Sequence, residues 1–356
     1  MRISATDARS YIRHAFLEIG LSGDDAGVAA AALVSTSLWG IDSHGIRLFP
    51  TYVKEVLGGR ANCRATMQQQ RTGPACAQID AQGQLGILAG YRAADLAREI
   101  AHESGSAVVS VHNSNHFGAA QLYARALAEQ DLLAIVMTNA APRVVPAGGI
   151  EQMFGTNPIC FAAPSENDVF CLDMATSQVS YSRVKALMAR GEKLPDGCAI
   201  DRRGQPCTDV ADFGGLLPLG GYKGQGLAMM VEILCSLLAG RTSGLEMSHL
   251  DRPPYDTGRD VSHLVIAIDP VRFAGLAPFK AGLHAYIDTI RRCAPAGKDP
   301  VIVAGDKEQQ SAVLLEREGI PMGSAEIASF VEVEQMFSPA SPIASLVRGA
   351  EAVACA

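Results

Sequence analysis

Five short segments interrupt otherwise apolar stretches, and their residue types define the chemistry open to this chain. Asp42-Ser43-His44-Gly45 forms a polar turn between two helix-like stretches. A His flanked by Ser and Gly can offer one ring nitrogen to a hydroxyl and the other to a ligand. The plainer reading is an N-cap turn in which Ser43 caps the next helix. Asn113-Ser114-Asn115-His116-Phe117-Gly118 follows a strand-like run, Ala107 to Val111. Ligands of α/β sheets gather at the carboxyl ends of strands. A His placed there titrates close to working pH, as an acid/base must, although it could instead bond its own loop backbone.

Thr138-Asn139, with Pro142-Arg143 close behind, ends the next strand-like run. Phe154-Gly155-Thr156-Asn157-Pro158 has side chains small enough for backbone to approach a ligand. Gly220-Gly221-Tyr222-Lys223-Gly224-Gln225-Gly226 opens a helix. A Lys among glycines at a helix start is an anion site, because free N–H groups and the helix dipole point the same way. Glycine caps between two helices would give the same pattern. No pair or triple of His, Cys and Asp/Glu has zinc-ligand spacing, so no metal is expected.

The elements that must position these segments can be read from hydrophobic period. Residues 6 to 40 predict two helices, the first with Ile12, Phe16 and Ile19 on one face and the second entered through Asp24-Asp25. A third carries Tyr52, Val53, Val56 and Leu57 and stops at Gly58-Gly59. Strands follow at 75–79 and 107–111, with a helix across 89–104 between them. A helix at about 119–129 leads to a strand at 132–139. The run FGTNPICFAAP, the polar turn SEND and the run DVFCLDMAT predict an antiparallel hairpin. Residues 196–218 are loop-rich, a helix spans 224–239 and a strand 263–269, and the tail returns to helix from 306. Helical ends around a β-rich middle predict an α/β chain of two parts. A discontinuous helical domain (1–75 with 300–345) caps a mixed α/β domain (76–299), and 346–356 is a tail.

Composition excludes whole classes. The chain has 356 residues, 48% hydrophobic and 19% charged, with a net charge of -7. An acidic chain without basic clusters lacks the positive footprint of a nucleic-acid binder. Its most apolar helix-length stretch, Leu227 to Ala239, is interrupted by Glu232 and falls short of the ~20 residues of a membrane span. Nine Cys, an odd number with no C-x-x-C pair, predict reduced thiols. The N-terminal residues lack an apolar signal core. A cytoplasmic enzyme is the expectation. The one Gly-x-Gly is Gly224/Gly226, and position 229 is Met, so there is no G-x-G-x-x-G dinucleotide fingerprint. P-loop, nucleophile-elbow and H-E-x-x-H motifs are missing too. Any nucleotide must bind by another route.

Taken together, SHGIRLFPTYV, NSNHFGA, FGTNPICFAAP, DMATS, LPDGCAIDRRGQPCTD, LPLGGYKGQGLAMMVEIL and VAGDKEQQ…REGIPM closely resemble the type-2 malate/L-lactate dehydrogenase family. That family also holds ureidoglycolate and sulfolactate dehydrogenases, 2,3-diketogulonate reductase and Δ1-piperideine-2-carboxylate reductase. The match is collinear over roughly residues 3 to 335. The resemblance implies an NAD(P)-dependent oxidoreductase with a non-Rossmann fold, acting as a homodimer with active sites near the subunit interface. By position it implies that His116 takes the hydroxyl proton of a small 2-hydroxy acid as hydride leaves. Ser43 and His44 match the pair that relays and donates a proton in imine-reducing members. Asp173-Met174-Ala175, Lys223-Gly224 and Gly305-Asp306-Lys307-Glu308 match cofactor-binding segments, and Asn139-Ala140 matches the nicotinamide end. Tyr52 and Thr156 are further substrate contacts on this reading. Tyr181 and Arg183 fall where members vary with cofactor. Arg183 would read a 2′-phosphate, or simply be solvated at a helix start.

One departure stands out. Most members carry an Arg four residues after the His of the Ser-His pair, gripping the substrate carboxylate; here that residue is Leu48. Arg47 lies one position earlier, about 100° away on a helix. Arg143 stands where the family is usually apolar, and a bidentate guanidinium from Arg143 or Arg47 would serve as the clamp. A cyclic imino acid reductase and a catalytically silent dinucleotide-binding protein are the alternative functions. The intact His116, His44 and Lys223 argue against the silent one.

Overall fold

A computed structural model describes residues 1–337. In chain order these form β1 (Arg2–Ile3), α1 (Ala5–Glu18), α2 (Gly23–Leu38), α3 (Phe49–Gly58), β2 (Gln68–Gly73), β3 (Cys76–Asp80), α4 (Gly86–Ser104), β4 (Ser106–Ser114), α5 (Gln121–Ala128) and β5 (Leu133–Thr138). Next come β6 (Ile159–Pro164), β7 (Val169–Met174), α6 (Tyr181–Arg190), β8 (Ala199–Asp201), β9 (Phe213–Leu216) and α7 (Tyr222–Glu232). The chain continues through β10 (Val261–Ile268), α8 (Leu276–Arg291), α9 (Asp306–Glu318), β11 (Ile320–Pro321) and α10 (Ser324–Glu334).

The chain divides into two compact units. The first comprises Met1–Ala65, Pro253–Gly258 and the chain from Asp306; the second comprises Thr66–Arg252 and Arg259–Gly305. The divisions fall at Ala65 and Asp306 instead of 75 and 300. The short Pro253–Gly258 segment also joins the first unit because Arg60 holds it: its guanidinium donates to the Pro254 carbonyl and lies 4.6 Å over the Tyr255 ring.

In the first unit α1 and α2 begin alike. Ser4 and Ser22 accept hydrogen bonds from the Asp7 and Asp25 amides, and Asp7, Asp24 and Asp25 favour the positive helix ends. Tyr11, Phe16, Phe49 and Phe330 bring α1, α3 and α10 into one ring cluster, with centroids 5.1–5.8 Å apart. Tyr52, on α3 with Phe49, is wholly buried.

The second unit is built on a seven-stranded sheet of order β2-β3-β4-β10-β5-β6-β7. Only β3 and β4 run parallel, joined by α4, as a parallel pair requires a crossover. The predicted hairpin is β6 against β7, from Ile159↔Met174 to Pro164↔Val169. Leu264 and Met137 pack with Val231 and Cys235 behind α7, joined by Val108, Ile135, Ile159 and Ile266. Alternation along β10 then turns His263 to the opposite face. The predicted helix over 224–239 begins two residues earlier and changes character at its end: after Glu232 it widens into a π-turn, Ile233–Leu237.

His263 sits wholly buried in the middle of this sheet. Its Nδ1 lies 2.8 Å from Thr138 Oγ1 on β5 and its Nε2 2.9 Å from Ser114 Oγ on β4. Its ring stacks on Phe117 at 4.5 Å. Burial pushes the imidazole pKa down to about 3. The folded chain therefore refuses a proton that the unfolded chain takes up near pH 6.5, so this contribution is complete above pH 6.5 and drains away as pH falls towards 3. The slope from this group alone is up to about 1.4 kcal/mol per pH unit. Denaturant titrations at stepped pH should show His263→Gln less stable at pH 7 but with a shallower acid slope than wild type. Parallel slopes would show that His263 does not set the acid limit.

Candidate active site

Strand direction brings the second unit's candidate residues together. β10 is antiparallel to both β4 and β5, so these two strands point the same way. Their carboxyl ends lead into the His116 loop and into Asn139-Ala140. β6 runs against β5, so Thr156 and Asn157, just before it, lie at the same end. β7 runs against β6, so Asp173, Met174 and Ala175 finish there too. Three of the segments singled out by residue type, with Asp173–Ala175 from the resemblance, thus come to one end of the sheet.

The His116 loop is held from three directions. Asn113, at φ 53, receives the Asp260 carboxylate on its amide and donates from Nδ2 to Asp80 Oδ1. Asn115 Nδ2 donates to the Gly83 carbonyl. Gly86 passes so close that a Cβ there would run into the Asn115 and His116 carbonyls. His116 itself is partly exposed, and its Nδ1 accepts from the Gly118 amide at 3.3 Å. An N–H can only donate, so this contact favours the neutral ring with its proton on Nε2.

Two strands away, at the end of β5, Asn139 is buried and its turn with Ala140 is locked. The Asn139 side chain accepts from the Ser262 amide and donates to Ser236 Oγ; the Ala140 amide donates to Asn157 Oδ1. Asn139 also lines a cavity of about 140 Å³ with Ser243, Gly244, Met247 and Arg259. Thr156 presents its carbonyl to both the amide and the hydroxyl of Thr176. Asp173 Oδ2 accepts the Gln121 amide and so caps α5, a structural duty alongside its predicted cofactor role.

Lys223 stands exposed in the first turn of α7, a helix with no side-chain cap. Gly220 and Gly221 precede it at φ 60 and 67, and a Cβ on Gly224 would strike the Leu219 backbone. This is a glycine-built helix start with free amides and a cation. Arg183 is exposed in the first turn of α6, whose N-cap Ser180 accepts the Arg183 amide. The Gly305-Asp306-Lys307-Glu308 turn is where the two units divide, with Gly305 at φ 99 and the other three in the first turn of α9.

Arg143 is 11% exposed, lies 4.0 Å over the Tyr181 ring and reaches Asp251 at 3.6 Å. Asp251 in turn holds Lys185 at 3.0 Å. Burial, then Arg143 and Arg252, push the neighbouring His249 down to about 4. The residue types around Arg143 in sequence gave no sign of Asp251 or His249, which arrive from more than 100 positions away.

In the first unit Ser43 Oγ and His44 Nδ1 are 2.8 Å apart, within the short 3₁₀ turn Asp42–His44. Ser43 therefore serves its neighbour, and the next backbone amide in need, Ile46, is met by Ser37 Oγ. Arg47 is drawn into an ion pair with Glu326 at 2.9 Å, with Asp42 at 3.9 Å. That leaves Arg143 the stronger candidate for a carboxylate clamp. Among the described residues no group of three or more His, Cys, Asp or Glu could hold a metal ion. No helix of the described residues is long and apolar enough to cross a membrane.

The family model for malate/L-lactate dehydrogenase matches residues 3–330. A malate dehydrogenase of Pyrococcus horikoshii is 37% identical over 79% of this chain and 80% of its own length. A malate/(S)-sulfolactate dehydrogenase of Methanothermus fervidus is 32% identical over 94% of this chain and 97% of its own. The structure of sulfolactate dehydrogenase from Methanocaldococcus jannaschii superposes with a TM-score of 0.88 at 31% identity, covering 94% of this chain and 96% of that one.

Two glycines separate close approach from mere flexibility at this site. A Cβ on Gly155 would meet the Ala140 carbonyl and Asn157 Oδ1, whereas one on Gly226 meets nothing within 4 Å. Gly155→Ala should cost about 1–3 kcal/mol by denaturant unfolding, as overpacking does. Gly226→Ala, inside α7, should be neutral or stabilising by up to about 1 kcal/mol. Equal effects would mean that the 139–157 contact is not tight.

Proposed function

The chain belongs to the malate/L-lactate dehydrogenase family and is an oxidoreductase of 2-hydroxy acids, and on that premise we propose how its own residues serve the reaction. The observation that carries the reading is the convergence of the His116 loop, Asn139-Ala140, Thr156 and Asp173–Ala175 at one sheet edge. The residues fit a nicotinamide dinucleotide held without a glycine fingerprint on a doubly wound parallel sheet. Gly155 and Gly224 let the chain pack tightly on Ala140 and Leu219, and the uncapped start of α7 with Lys223 offers amides and a cation to a pyrophosphate. Asn139-Ala140 would flank the nicotinamide, with Met174, Ala175 and the Gly305–Glu308 turn as further cofactor contacts. When bound, that ring supplies or accepts the hydride. Arg183 at the head of α6 would read a 2′-phosphate, favouring NADP over NAD, while the Tyr181 ring lies under the Arg143 guanidinium.

For proton transfer the two histidines differ in a way that hydrogen-bond chemistry can weigh. Ser43 can donate to His44 Nδ1 or accept from it, so His44 can pass between neutral and cationic forms without losing its partner. Gly118 can only donate to His116, so a cationic His116 must first break that bond. This supports Ser43-His44 as the proton-carrying pair of the first unit and, within the second, His116 as an Nε2–H donor to a substrate oxygen. In that role His116 holds the oxygen while the proton moves elsewhere. Arg143 would take the 2-oxo or 2-hydroxy acid's carboxylate.

A homodimer is supported by the outer side of α7 and its π-turn, where Met229, Met230, Ile233, Leu237 and Leu238 are all exposed. Apolar side chains grouped this way mark an interaction surface. Light scattering should return the mass of two chains, and Ile233→Glu with Leu237→Glu should return one.

The decisive assay oxidises NADH and NADPH in parallel against pyruvate, oxaloacetate and the cyclic imines of pyrroline- and piperideine-2-carboxylate. The expected result is turnover with an open-chain 2-oxo acid. Preference for a cyclic imine, or tight dinucleotide binding without turnover, would replace this reading with a reductase or a silent binder. His44→Ala should lower kcat by about 10²–10⁴ and abolish one limb of the pH–rate profile. His116→Ala should lower kcat while keeping both limbs; the reverse pattern would return the acid/base role to His116. Arg143→Ala should raise substrate KM at least tenfold and leave cofactor KM alone. An unchanged substrate KM would remove Arg143 from the site.

A further inference from the structure

Glu232 is the one carboxylate in the apolar stretch of α7, it is 8% exposed, and both of its oxygens are engaged. Oε1 accepts from Asn157 Nδ2 at 3.1 Å; Oε2 accepts from Ser236 Oγ at 3.0 Å and from the Gly244 amide at 3.2 Å. Two of these donors are themselves the ends of relays. In one, the Ser262 amide donates to Asn139 Oδ1 at 2.9 Å, and Asn139 Nδ2 donates to Ser236 Oγ at 2.8 Å. In the other, the Ala140 amide donates to Asn157 Oδ1 at 3.2 Å, and Asn157 Nδ2 turns to Glu232 and the Ala228 carbonyl.

Each relay starts at a backbone N–H, which can only donate, so its direction is set before it reaches α7. The group where they meet must accept on both sides. A carboxylate does this, while an amide presents a donor to one side whichever way it turns. The π-turn that begins at Ile233 follows at once, and widened turns of this kind are often found at functional sites. Ser236, on that turn, hydrogen-bonds both Glu232 and Asn139.

We propose that Glu232 is the positioning residue of this site. It fixes the Asn139-Ala140 turn, the Asn157 loop and Gly244 against one another, and so shapes the wall of the 140 Å³ cavity that Asn139 and Gly244 line. The consequence for catalysis rests on the reading that Asn139-Ala140 flanks the nicotinamide. A loosened wall would let the ring leave the distance and angle at which hydride transfer is efficient, a loss of alignment that costs rate more than affinity. Glu232 touches neither substrate nor cofactor in this account.

The test uses the full-length chain and the variants Glu232→Gln and Ser236→Ala. Hydrogen exchange without cofactor should show the Ala140 and Gly244 amides of Glu232→Gln exchanging at least tenfold faster, with β4 and β10 unchanged. Ser236→Ala should release the Ser262 amide and leave Ala140 protected. Exchange within threefold of wild type at Ala140 and Gly244, or protection lost throughout β4 and β10, overturns the proposal. In turnover, Glu232→Gln should lower kcat 10–100-fold, keep cofactor KM within threefold and raise the kinetic isotope effect of a C2-deuterated 2-hydroxy acid. A fall in kcat with an unchanged isotope effect reports only a smaller folded fraction and overturns the catalytic claim. If wild type turns over no 2-hydroxy acid, the functional reading fails, while exchange still decides whether Glu232 holds the wall.

Discussion

β10 enters the sheet between β4 and β5 and runs against both, and the candidate site depends on that placement. Because of it, two strands that are consecutive but for α5 point in one direction and deliver their following loops to one edge. β6 and β7 then fold back as a hairpin and return two more loops there. A doubly wound sheet achieves this convergence with strands that are all parallel. Here a single late strand, from more than 120 residues downstream, does it in an almost wholly antiparallel sheet. β10 also carries the means of its own retention. His263 bonds hydroxyls on both neighbours and stacks on Phe117 in the His116 loop, so strand pairing and loop position are secured by one neutral ring.

Satisfying buried polar groups decides the rest of the geometry. The loops that reach this edge bring backbone amides into a dry region, and each must find an acceptor. Asp260 takes the Asn113 amide, Asp173 the Gln121 amide and Glu232 the Gly244 amide. The amides of Asn139 and Asn157 take those of Ser262 and Ala140. The backbone of the site is thus pinned by side chains from other elements instead of by its own strand ladders. This leaves glycine as the residue where the pinned loops cross. Gly155 lies under the Ala140 carbonyl and Gly86 under that of Asn115, where a methyl group has no space.

How much of this can be read from residue order follows from the range of the interactions. The helices of the first unit, β3–α4–β4, and the β6–β7 hairpin are legible because their period and their punctuation (Ser4, Ser22, Gly59, SEND) are local. Gln68–Gly73 is not legible as a strand: it is an exposed edge with no apolar alternation to betray it. The site segments declare themselves as polar or glycine-rich interruptions, and Glu232 does so as a charge in an apolar helix. Their partners do not. Asp251 beside Arg143, Glu326 beside Arg47 and His263 beneath Phe117 have no local signature, because what selects them is proximity across 100 to 280 positions.

An acidic chain that must hold anionic ligands needs cations kept in reserve, and Arg143 shows how one can be kept. A buried guanidinium without a counter-ion is costly by several kcal/mol, and burial already pulls its pKa below the ordinary value. Tyr181 offers its ring face at 4.0 Å, and Asp251 its charge at 3.6 Å, beyond good hydrogen-bond length. The planar fork is thus compensated by charge and by the ring, yet not bound edge-on. A carboxylate arriving from solution would exchange the loose contact for two short, parallel hydrogen bonds. Asp251 would not be stranded by the exchange, because Lys185 holds its other oxygen at 3.0 Å. His249, pushed down to about 4 by burial and its cationic neighbours, stays neutral and adds no competing charge. The two groups that stabilise Arg143, Tyr181 and Asp251, therefore leave its fork able to take a carboxylate, which is what the proposed clamp requires.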